Sequence, residues 1–328
     1  MTLVQPSPEM QIFIRKELNE DVDTRDSALE HIKEWLQKQP HLPDSWGKAC
    51  LFLSFRLNLK SVTSFFTDEN RIMTFLRGCN FSLERTKKKL DLYFTMRTAA
   101  PEFFSNRNIK NPELQDLAKK AQCPPLPGLT KEGRRVVVIR GLDKSYTSPL
   151  AQDGMKIVLM IGDLRLAAEE VGVAGDVYIL DAGVVTPTHF AKVTPSVVKK
   201  FLVCVEEAYP VKLKEVHVVN AHPLVDTIFN WIKPLLKEKI RNRVYFHSDG
   251  YESLYKFIPK EILPEEYGGD AGKLQVFHEQ WMQKLADNTP WFEQQENIKA
   301  DESKRPGKPT NYDDLFGVDG SFKQLHID

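Results

Sequence analysis

Residues 216–246, VHVVNAHPLVDTIFNWIKPLLKEKIRNRVYF, decide the fold, because this one stretch holds two different apolar periodicities. Short β-branched runs stand at its two ends, Val216–Val219 and Val244–Phe246, and such runs predict buried strands. Between them, Pro223–Lys239 places apolar residues at every third or fourth position, which predicts a helix. A strand, a helix and a second strand in this order are typical of a parallel sheet.

The same alternation extends toward the N-terminus. Val136–Ile139 and Val177–Leu180 are β-branched runs that predict two more strands. Pro149–Glu170 and Thr194–Ala208 are helical stretches that lie between the predicted strands. The sequence therefore predicts an α/β fold built on a mostly parallel sheet.

The chain before residue 111 shows helical periodicity alone. Apolar residues at helical spacing run from about Ser7 to Gln39, and a second helical stretch ends before Pro101. We therefore expect an all-helical unit over residues 1–110, followed by the α/β domain over residues 111–287.

The composition changes again after Asn288. The chain becomes polar and rich in Pro, Gly and Asp, which predicts an extended tail over residues 288–328. Three apolar residues of this tail, Phe316, Phe322 and Leu325, are available to dock on the body of the protein.

Charge and cysteine content exclude several classes of protein. Lys plus Arg and Asp plus Glu number 45 each, so no overall field attracts the chain to nucleic acid. The four cysteines are far apart, which speaks against a disulfide framework and a zinc site. The N-terminus lacks the features of a signal peptide, and the apolar stretch Ala49–Phe66 carries charges at its centre. We expect a cytosolic monomer without a membrane span.

Catalytic signatures are missing as well. Gly128–Gly133 has the glycine spacing of a phosphate loop, but Arg134 and Arg135 stand where Lys and Ser or Thr are required. No GxGxxG follows a predicted strand, and no GxSxG is present. His217 and His222 are five apart across a strand end, which is not the spacing of a paired metal site. We expect neither an enzyme nor a bound cofactor.

Asn220–Arg243 is the most informative segment for function. Its helical part has one apolar face that further apolar residues widen, so that only a narrow polar stripe is left. Such a helix is either buried between layers or forms a lid, with one face on an apolar cavity and the other turned to a membrane on opening. Periodicity leaves both interpretations open. The face consists of Leu224, Ile228, Trp231, Ile232 and Leu235, widened by Val225, Phe229 and Leu236.

Six motifs stand in a fixed order along the chain. They are Phe75–Phe81 (FLRGCNF), Asp176–Gly183 (DVYILDAG), Val193–Lys200 (VTPSVVKK), Tyr209–Asn220 (YPVKLKEVHVVN), Trp231–Pro234 (WIKP) and Ile262–Gly269 (ILPEEYGG). In this order they resemble the signature of the CRAL-TRIO family, in the type that transfers tocopherol or binds retinaldehyde. The resemblance implies a cage of parallel strands with a floor of helices, closed by a movable lid, that holds one apolar ligand and releases it at membranes.

The resemblance also implies which residues contact the ligand. By position in the family pattern, the residues that line the cavity are Tyr178, Leu180, Phe190, Val198, Phe201, Leu202, Val205, Val218, Ile228, Phe229 and Ile232.

A second implied site is a basic cleft that binds phosphoinositide head groups. Lys212 and Lys214 are two apart on an extended segment, and Lys239 and Arg243 are four apart on a helix, so each pair shares a face. Lys88 matches a further basic position of the family. Four or five converging cations hold a polyphosphate through charge-assisted hydrogen bonds.

The implied function is binding and transfer of a tocopherol-, retinoid- or related lipid-like molecule in the cytoplasm, with peripheral association at phosphoinositide-containing membranes. Cys79 weakens the case for tocopherol itself, because a tocopherol carrier presents a second arginine there, two residues after the equivalent of Arg77. Two other functions stay open. One is a phosphoinositide-binding trafficking adaptor, for which Asp313–Phe316 (DDLF) is the hint. The other is a phosphatidylinositol exchanger, although the lid resembles the tocopherol type more.

Residues 47–67, GKACLFLSFRLNLKSVTSFFT, match nothing in the family pattern. In the family, the residues that follow a segment like 41–46 (HLPDSW) run within a few positions into a helix that begins here near Asp68. We interpret the insertion as a retained intron, because Gly47-Lys48 and the residues up to Asp68 can be encoded by codons that contain splice donor and acceptor sequences. The alternative is an added element that dips into membranes.

Overall fold

A mostly parallel sheet forms the centre of the computed structural model, which describes residues 3–44, 68–145, 151–169 and 171–317. Within these residues the strands are β1 (Ala121–Gln122), β2 (Pro125–Leu129), β3 (Arg134–Gly141), β4 (Gly175–Asp181), β5 (Leu213–Val219) and β6 (Val244–His247). Strands β3, β4, β5 and β6 run parallel in that order, while β1 and β2 pair antiparallel with β3. The predicted α/β fold is confirmed, and each predicted strand lies within an observed one.

Helices precede the sheet, connect its strands and follow it. They are α1 (Pro8–Leu18), α2 (Arg25–Gln37), α3 (Asp68–Gly78), α4 (Leu83–Ala99), α5 (Pro101–Phe104), α6 (Pro112–Lys120), α7 (Ala151–Ala168), α8 (Pro187–Ala191), α9 (Pro195–Val203), α10 (Pro223–Ile232), α11 (Glu238–Arg241), α12 (Leu274–Asp287), α13 (Thr289–Gln295) and α14 (Tyr312–Phe316). Helix α7 connects β3 to β4, α8 and α9 connect β4 to β5, and α10 and α11 connect β5 to β6.

Two predicted helices are shorter than their apolar periodicity indicates. The stretch from Ser7 to Gln39 is broken at Asn19, whose φ of 54° is left-handed and ends α1. The helix predicted to reach Lys239 ends at Ile232 and passes into a 3-10 turn. The reason is Pro234, because proline has no backbone N–H and its ring clashes with the preceding turn of a helix.

One face of the sheet is closed by the segment that follows β6. Val136, Val177 and Ile179 point to this face and are fully buried, with 0% of their surface exposed. They pack with residues of the 3-10 turns and loops beyond β6, such as Leu254 and Tyr267, which are also fully buried. This face is therefore part of the core and has no room for a ligand.

The helical N-terminal part and the sheet part meet at a buried carboxylate. Asp163 of α7 is 0% exposed and accepts hydrogen bonds from the hydroxyls of Tyr93 (3.0 Å) and Tyr209 (2.6 Å). Its other oxygen accepts from the guanidinium groups of Arg97 (2.7 Å) and Arg107 (2.6 Å). Four segments that are distant in sequence thus share one charge.

Aromatic rings near this carboxylate also stabilise the two guanidinium groups, those of Arg97 and Arg107. The guanidinium carbon of Arg97 lies 3.6 Å from the ring centre of Tyr93, and that of Arg107 lies 5.1 Å from the ring centre of Phe292. Cations are attracted to aromatic faces, most strongly where water is excluded. Phe292 belongs to α13, so this contact also involves the chain after Asn288.

The predicted extended tail differs from the structure as far as residue 317. Residues 289–295 and 312–316 are helical, and the chain between them returns to the N-terminal helices. Arg305 donates two hydrogen bonds of 2.8 Å to the carboxylate of Asp91, and Phe316 is buried in the N-terminal core. Polar composition predicts solvent exposure, but these ion pairs and the buried ring fix the segment to the surface. Phe322 and Leu325 lie outside the described residues.

The insertion at residues 47–67 also lies outside the described residues. Among the helices of the described part, none combines the length and the apolar character that a membrane crossing needs.

We expect Asp163→Asn to reduce the free energy of unfolding by about 3–5 kcal/mol, because it leaves two buried guanidinium groups without their counter-charge. Asp153→Asn, on the same helix but outside this network, should change it little. Urea unfolding of both variants at neutral pH measures the difference. Burial raises the pKa of Asp163, but Arg97 and Arg107 outweigh burial and hold it below its usual range. The stabilisation is therefore present above about pH 4 and is lost in acid. A small effect of Asp163→Asn would contradict this account.

Candidate functional site

The second face of the sheet is apolar but only partly covered. The register places Tyr178 beside Val216 and Leu180 beside Val218, and alternate residues of a strand point to one side. Tyr178, Leu180 and Val216 belong to the central strands β4 and β5, yet they are only half-buried. Their neighbour Ile179, on the closed face, is fully buried. Because central strands are usually covered on both faces, a half-open apolar face is the natural wall of a site for an apolar molecule.

Helix α10 covers this face where it crosses β5 and β6. Val225 is buried in one cluster with Ala182 and Val218 of the sheet. The ring of Phe229 packs edge to face on the ring of Phe246 in β6, with the ring centres 5.1 Å apart. Phe246 pairs with Val218 and thus belongs to the same face of the sheet.

The outer side of α10 is exposed. Asp226, Thr227 and Asn230 form an exposed polar stripe. Trp231 reaches sideways to Phe190 of α8, with ring centres 4.9 Å apart. Helix α10 is therefore a surface helix over an apolar face, and it is not buried between two layers.

The predicted cavity residues fall into two groups. Tyr178, Leu180, Val218, Phe229 and Phe190 belong to the sheet face or touch the helices above it, and Ile228 and Ile232 are half-buried on α10. The other four are Val198, Phe201, Leu202 and Val205, which lie on α9 or directly after it. Phe201 and Val205 pack on the N-terminal core.

Two pockets border this region. One of about 90 Å³ lies at the start of β4, and its lining includes Tyr178, Arg165 and Lys212. The other, of about 260 Å³, lies between the end of β3 and α8, and its lining includes His189 and Val193.

Sequence reasoning did not select the polar wall of the smaller pocket. The guanidinium of Arg165 donates to the carboxylate of Asp176 at 2.8 Å and to that of Glu169 at 3.3 Å. The spacing of Arg165 and Glu169, four apart on a helix, is a signal of such a pair. The contact with Asp176 is not readable from spacing, because it joins a helix to the following strand.

Two of the predicted head-group cations lie at the amino end of β5. Lys212 donates a hydrogen bond to the side-chain oxygen of Asn80, which follows α3. Lys214 lies with its amine 3.4 Å from the carboxylate of Glu17 in α1. Both lysines therefore stand where the N-terminal helices meet the sheet.

The segment between β5 and β6, residues 220–243, which holds α10 and α11, brings two more cations to the same place. Arg243 donates to the backbone carbonyl of Leu213, between the two lysines. Lys239 is exposed on α11, and its charge acts on Lys212. Arg243 lies beyond the end of α11, so the predicted pairing of Lys239 and Arg243 along one helix is wrong. A head-group site that includes both cations stays a prediction.

Burial and neighbouring cations lower the pKa of Lys212. Burial is the largest cause, the charges of Lys214 and Lys239 add to it, and the resulting pKa is about 8. The carboxylate of Glu17 acts in the opposite direction but does not offset burial and the two cations. A bound phosphate would supply further counter-charge, so the cleft is suited to an anion.

In the described part of the chain, no hydrogen bond or ion pair connects Lys88 to the other four predicted cations. It is exposed on α4, and its charge acts on Glu207, which is paired with Lys237 at 2.9 Å. Its neighbour Lys89 donates to the backbone carbonyl of Tyr209 at 2.8 Å. Cys79 is buried, so it adds no cation where a tocopherol carrier has one.

Two glycines allow the close approach of chain segments at the cleft. A Cβ atom on Gly175, whose φ is +149°, would lie 2.5 Å from the carbonyl oxygen of Lys212 and 2.6 Å from Cγ of Lys214. On Gly78, at the end of α3, a Cβ atom would lie 2.3 Å from the carbonyl oxygen of Pro210. Both distances exclude a side chain, so these glycines set how closely α3 and β4 approach the chain around Lys212.

A chain of hydrogen bonds connects β5 to β6. His217 Nδ1 in β5 and His247 Nε2 in β6 are 3.0 Å apart. The second nitrogen of His217 is 3.2 Å from the carboxylate of Glu215, which Arg134 also contacts, and that of His247 is 2.6 Å from the hydroxyl of Ser253. Among the described residues, no group of three His, Cys, Asp or Glu could hold a metal ion.

The structure thus defines an α/β protein with a helical N-terminal unit, a half-open apolar sheet face under a surface helix, and an adjoining basic cleft. The CRAL/TRIO domain family matches residues 119–269, and the family described as Pinta-like, UBA domain matches residues 65–114. A Mus musculus protein named "Alpha-tocopherol transfer protein-like" is 31% identical over 262 residues, which cover 78% of this chain and 72% of that protein. The chain belongs to the CRAL-TRIO family.

Two other relatives extend the comparison. The Homo sapiens "Alpha-tocopherol transfer protein-like" is 34% identical over 210 residues, which cover 63% of this chain and 60% of that protein. The Homo sapiens "Clavesin-2" is 26% identical over 263 residues, which cover 80% of this chain and 74% of that protein. The chain thus spans only about 60% of the length of the human protein with the higher identity.

We expect acid to loosen the contact between β5 and β6. Burial is the largest cause that lowers the pKa of His247, and the charge of His217 adds to it. A histidine whose pKa is lower in the folded than in the unfolded chain loses its stabilisation as the pH falls below the unfolded value, about 6.5. Amide exchange in β6 should therefore rise relative to β4 as the pH falls from about 6.5 to 5.

Two variants test whether the hydrogen bond between His217 and His247 causes this pH dependence. His247→Gln cannot take up a proton, so most of the pH dependence of exchange in β6 should vanish. His31→Gln, at an exposed position of α2, should keep the pH dependence of the parent protein. The same pH profile in all three proteins would show that the histidine pair does not control this contact.

Proposed function

We propose that this protein is a non-enzymatic carrier of one small apolar molecule of the tocopherol, retinoid or related lipid class, and that it exchanges this cargo at phosphoinositide-containing membranes. The observation that carries the proposal is the half-open apolar face of β4 and β5 beneath α10. A face of this kind has no function in folding, because burial of the same side chains against protein would stabilise the fold more.

The size of the cargo requires movement of a lid segment, residues 220–243, which holds α10 and α11. A molecule of tocopherol size has several hundred Å² of apolar surface, whose transfer from water is worth several kcal/mol at about 25 cal/mol per Å². Sites for such molecules occupy about 300–1,000 Å³, whereas the pocket beside Tyr178 has about 90 Å³ and the pocket beside α8 about 260 Å³. Displacement of α10 from the sheet would join this pocket to the space above Leu180 and Val218.

The comparisons support the class of cargo. Two of the relatives carry tocopherol transfer in their names, which agrees with an apolar ligand of that size. The buried Cys79, in place of a cation, argues that the head-group contacts differ from those of a tocopherol carrier.

The basic cleft supports delivery at a membrane. Lys212, Lys214, Lys239 and Arg243 border one cleft, and Lys212 lacks a full counter-charge. Phosphorylated inositol head groups carry several phosphate charges, which such a set of cations binds through charge-assisted hydrogen bonds. The proposed carrier acts as a monomer in the cytoplasm and associates peripherally with such membranes.

The adaptor function has less support. The sequence feature that suggested an adaptor is the tetrapeptide 313–316, DDLF. Phe316 is buried in the N-terminal core, and the amine of Lys200 lies 5.3 Å from its ring centre. A buried phenylalanine is not available to a partner that reads an exposed peptide.

We expect Phe229→Asp to abolish cargo binding, because a carboxylate between α10 and the apolar side chains of the sheet face costs free energy when it is not paired. The neighbouring change Asn230→Asp, on the exposed stripe, should leave binding unchanged. Native mass spectrometry after incubation with α-tocopherol or with retinaldehyde measures binding, and circular dichroism checks the fold. Full cargo binding by a folded Phe229→Asp protein would show that this ring does not border the ligand.

We expect Lys239→Ala with Arg243→Ala to weaken binding to vesicles that contain a phosphatidylinositol bisphosphate, while cargo binding stays unchanged. Both cations border the cleft and lie outside α10. Lys256→Ala with Lys273→Ala, at two exposed positions elsewhere, removes the same charge as a control. Vesicle co-sedimentation compares the three proteins. If the cleft variant sediments like the parent protein, the cleft does not hold the head group.

A further inference from the structure

Helix α1 has a buried side and an apolar outer side. Ile14 and Leu18 are buried, and they pack with Ala174 as a small core. Ile12 and Phe13, in contrast, are 66% and 45% exposed. Since residues of a helix are rotated by about 100° each, Ile12 points away from Ile14 by about 160°.

Exposed apolar side chains are concentrated in this part of the chain. Among the described residues, eight large apolar side chains are exposed, and four of the eight lie between residues 4 and 22. Single exposed apolar residues are ordinary, but adjacent ones on one helix that stabilise no core indicate a contact surface. The exposed residues are Val4, Ile12, Phe13, Val22, Leu142, Tyr245, Phe246 and Val276.

The charges beside these apolar side chains are of both signs. Lys16 is exposed one turn after Ile12, Glu9 is exposed one turn before Ile12, and Glu17 is exposed one turn after Phe13. The apolar side chains, and not a net positive charge, are therefore what this side of the helix presents to the head-group region of a bilayer. The surface is a single convex helix side, which does not provide the groove that a partner peptide or helix usually enters.

Helix α1 is attached directly to the basic cleft. The carboxylate of Glu17 lies 3.4 Å from the amine of Lys214, and the backbone carbonyl of Glu17 accepts a hydrogen bond of 3.4 Å from the side chain of Asn80. Asn80 in turn accepts from Lys212. The C-terminal turn of α1 therefore forms one border of the cleft, and the outer side of α1 continues from it.

We propose that the outer side of α1, with Ile12 and Phe13, is a membrane contact that enters the head-group region of the same bilayer whose phosphoinositide binds in the cleft. This inference rests on the proposed function, because it needs the cleft to face a membrane. The cleft supplies attraction that depends on the head group, whereas Ile12 and Phe13 supply an apolar contribution that is present with any lipid. Two contacts on one side of the molecule also fix its orientation on the bilayer.

The test compares two pairs of substitutions. Ile12→Ser with Phe13→Ser removes the apolar contact, and Leu142→Ser with Val276→Ser removes two exposed apolar side chains elsewhere. On phosphatidylcholine vesicles that contain a phosphatidylinositol bisphosphate, the first pair should weaken binding about ten-fold or more, and the second should not. Affinity for soluble inositol 1,4,5-trisphosphate should be equal in all of them, because the cleft is intact.

Three results would overturn the inference, and they separate it from the proposed function. If the α1 variant binds vesicles like the parent protein while Lys239→Ala with Arg243→Ala weakens binding, α1 is not a membrane contact but the cleft still is. If the parent protein does not bind the vesicles, the proposed membrane delivery fails, and the α1 contact fails with it. If sedimentation velocity shows a dimer of the parent protein that the α1 variant lacks, a second copy of this chain covers α1 instead.

Discussion

The buried carboxylate of Asp163 is the contact on which the arrangement of the protein depends. A buried carboxylate is stable in its charged form only if it is paired with a cation and its lone pairs accept hydrogen bonds. Arg97 and Tyr93 come from α4, Tyr209 comes from the approach to β5, and Asp163 itself belongs to α7. None of these elements can separate from the others without exposing an unpaired charge to an apolar core. The N-terminal helices, α7 and the start of β5 therefore form one frame.

The lid segment lies outside this frame. Helix α10 buries a single residue, Val225, whereas α7 buries nine. Its other contacts include aromatic pairs at the edge of the sheet, such as half-buried Phe229 with exposed Phe246. Segments with few buried contacts open at a lower free energy than the core. On the proposed function, α10 is therefore the part that moves away from the sheet to admit or release the ligand.

The basic cleft connects these two parts of the molecule. Lys212 and Lys214 belong to the frame, while Lys239 and Arg243 belong to the segment that follows α10. Arg243 joins the two through its hydrogen bond to the carbonyl of Leu213. On the proposed function, a phosphate in the cleft would compete for Arg243, so binding of a head group and movement of the lid segment would affect each other.

The sequence by itself determined the strands and most helices, and its ordered motifs indicated the family, whereas the cavity residues stay a prediction. Strands and helices are local, because β-branched runs and helical spacing are set by neighbours along the chain. Pro234, which ends α10, is also visible in the sequence. Only the tertiary structure decided that Asp163 joins four segments, that Glu17 and Asn80 hold the cleft lysines, and that the polar tail docks. These contacts join residues far apart in sequence, so no local periodicity encodes them. They form during packing, because a buried charge or a crowded cation is stable only when it is paired.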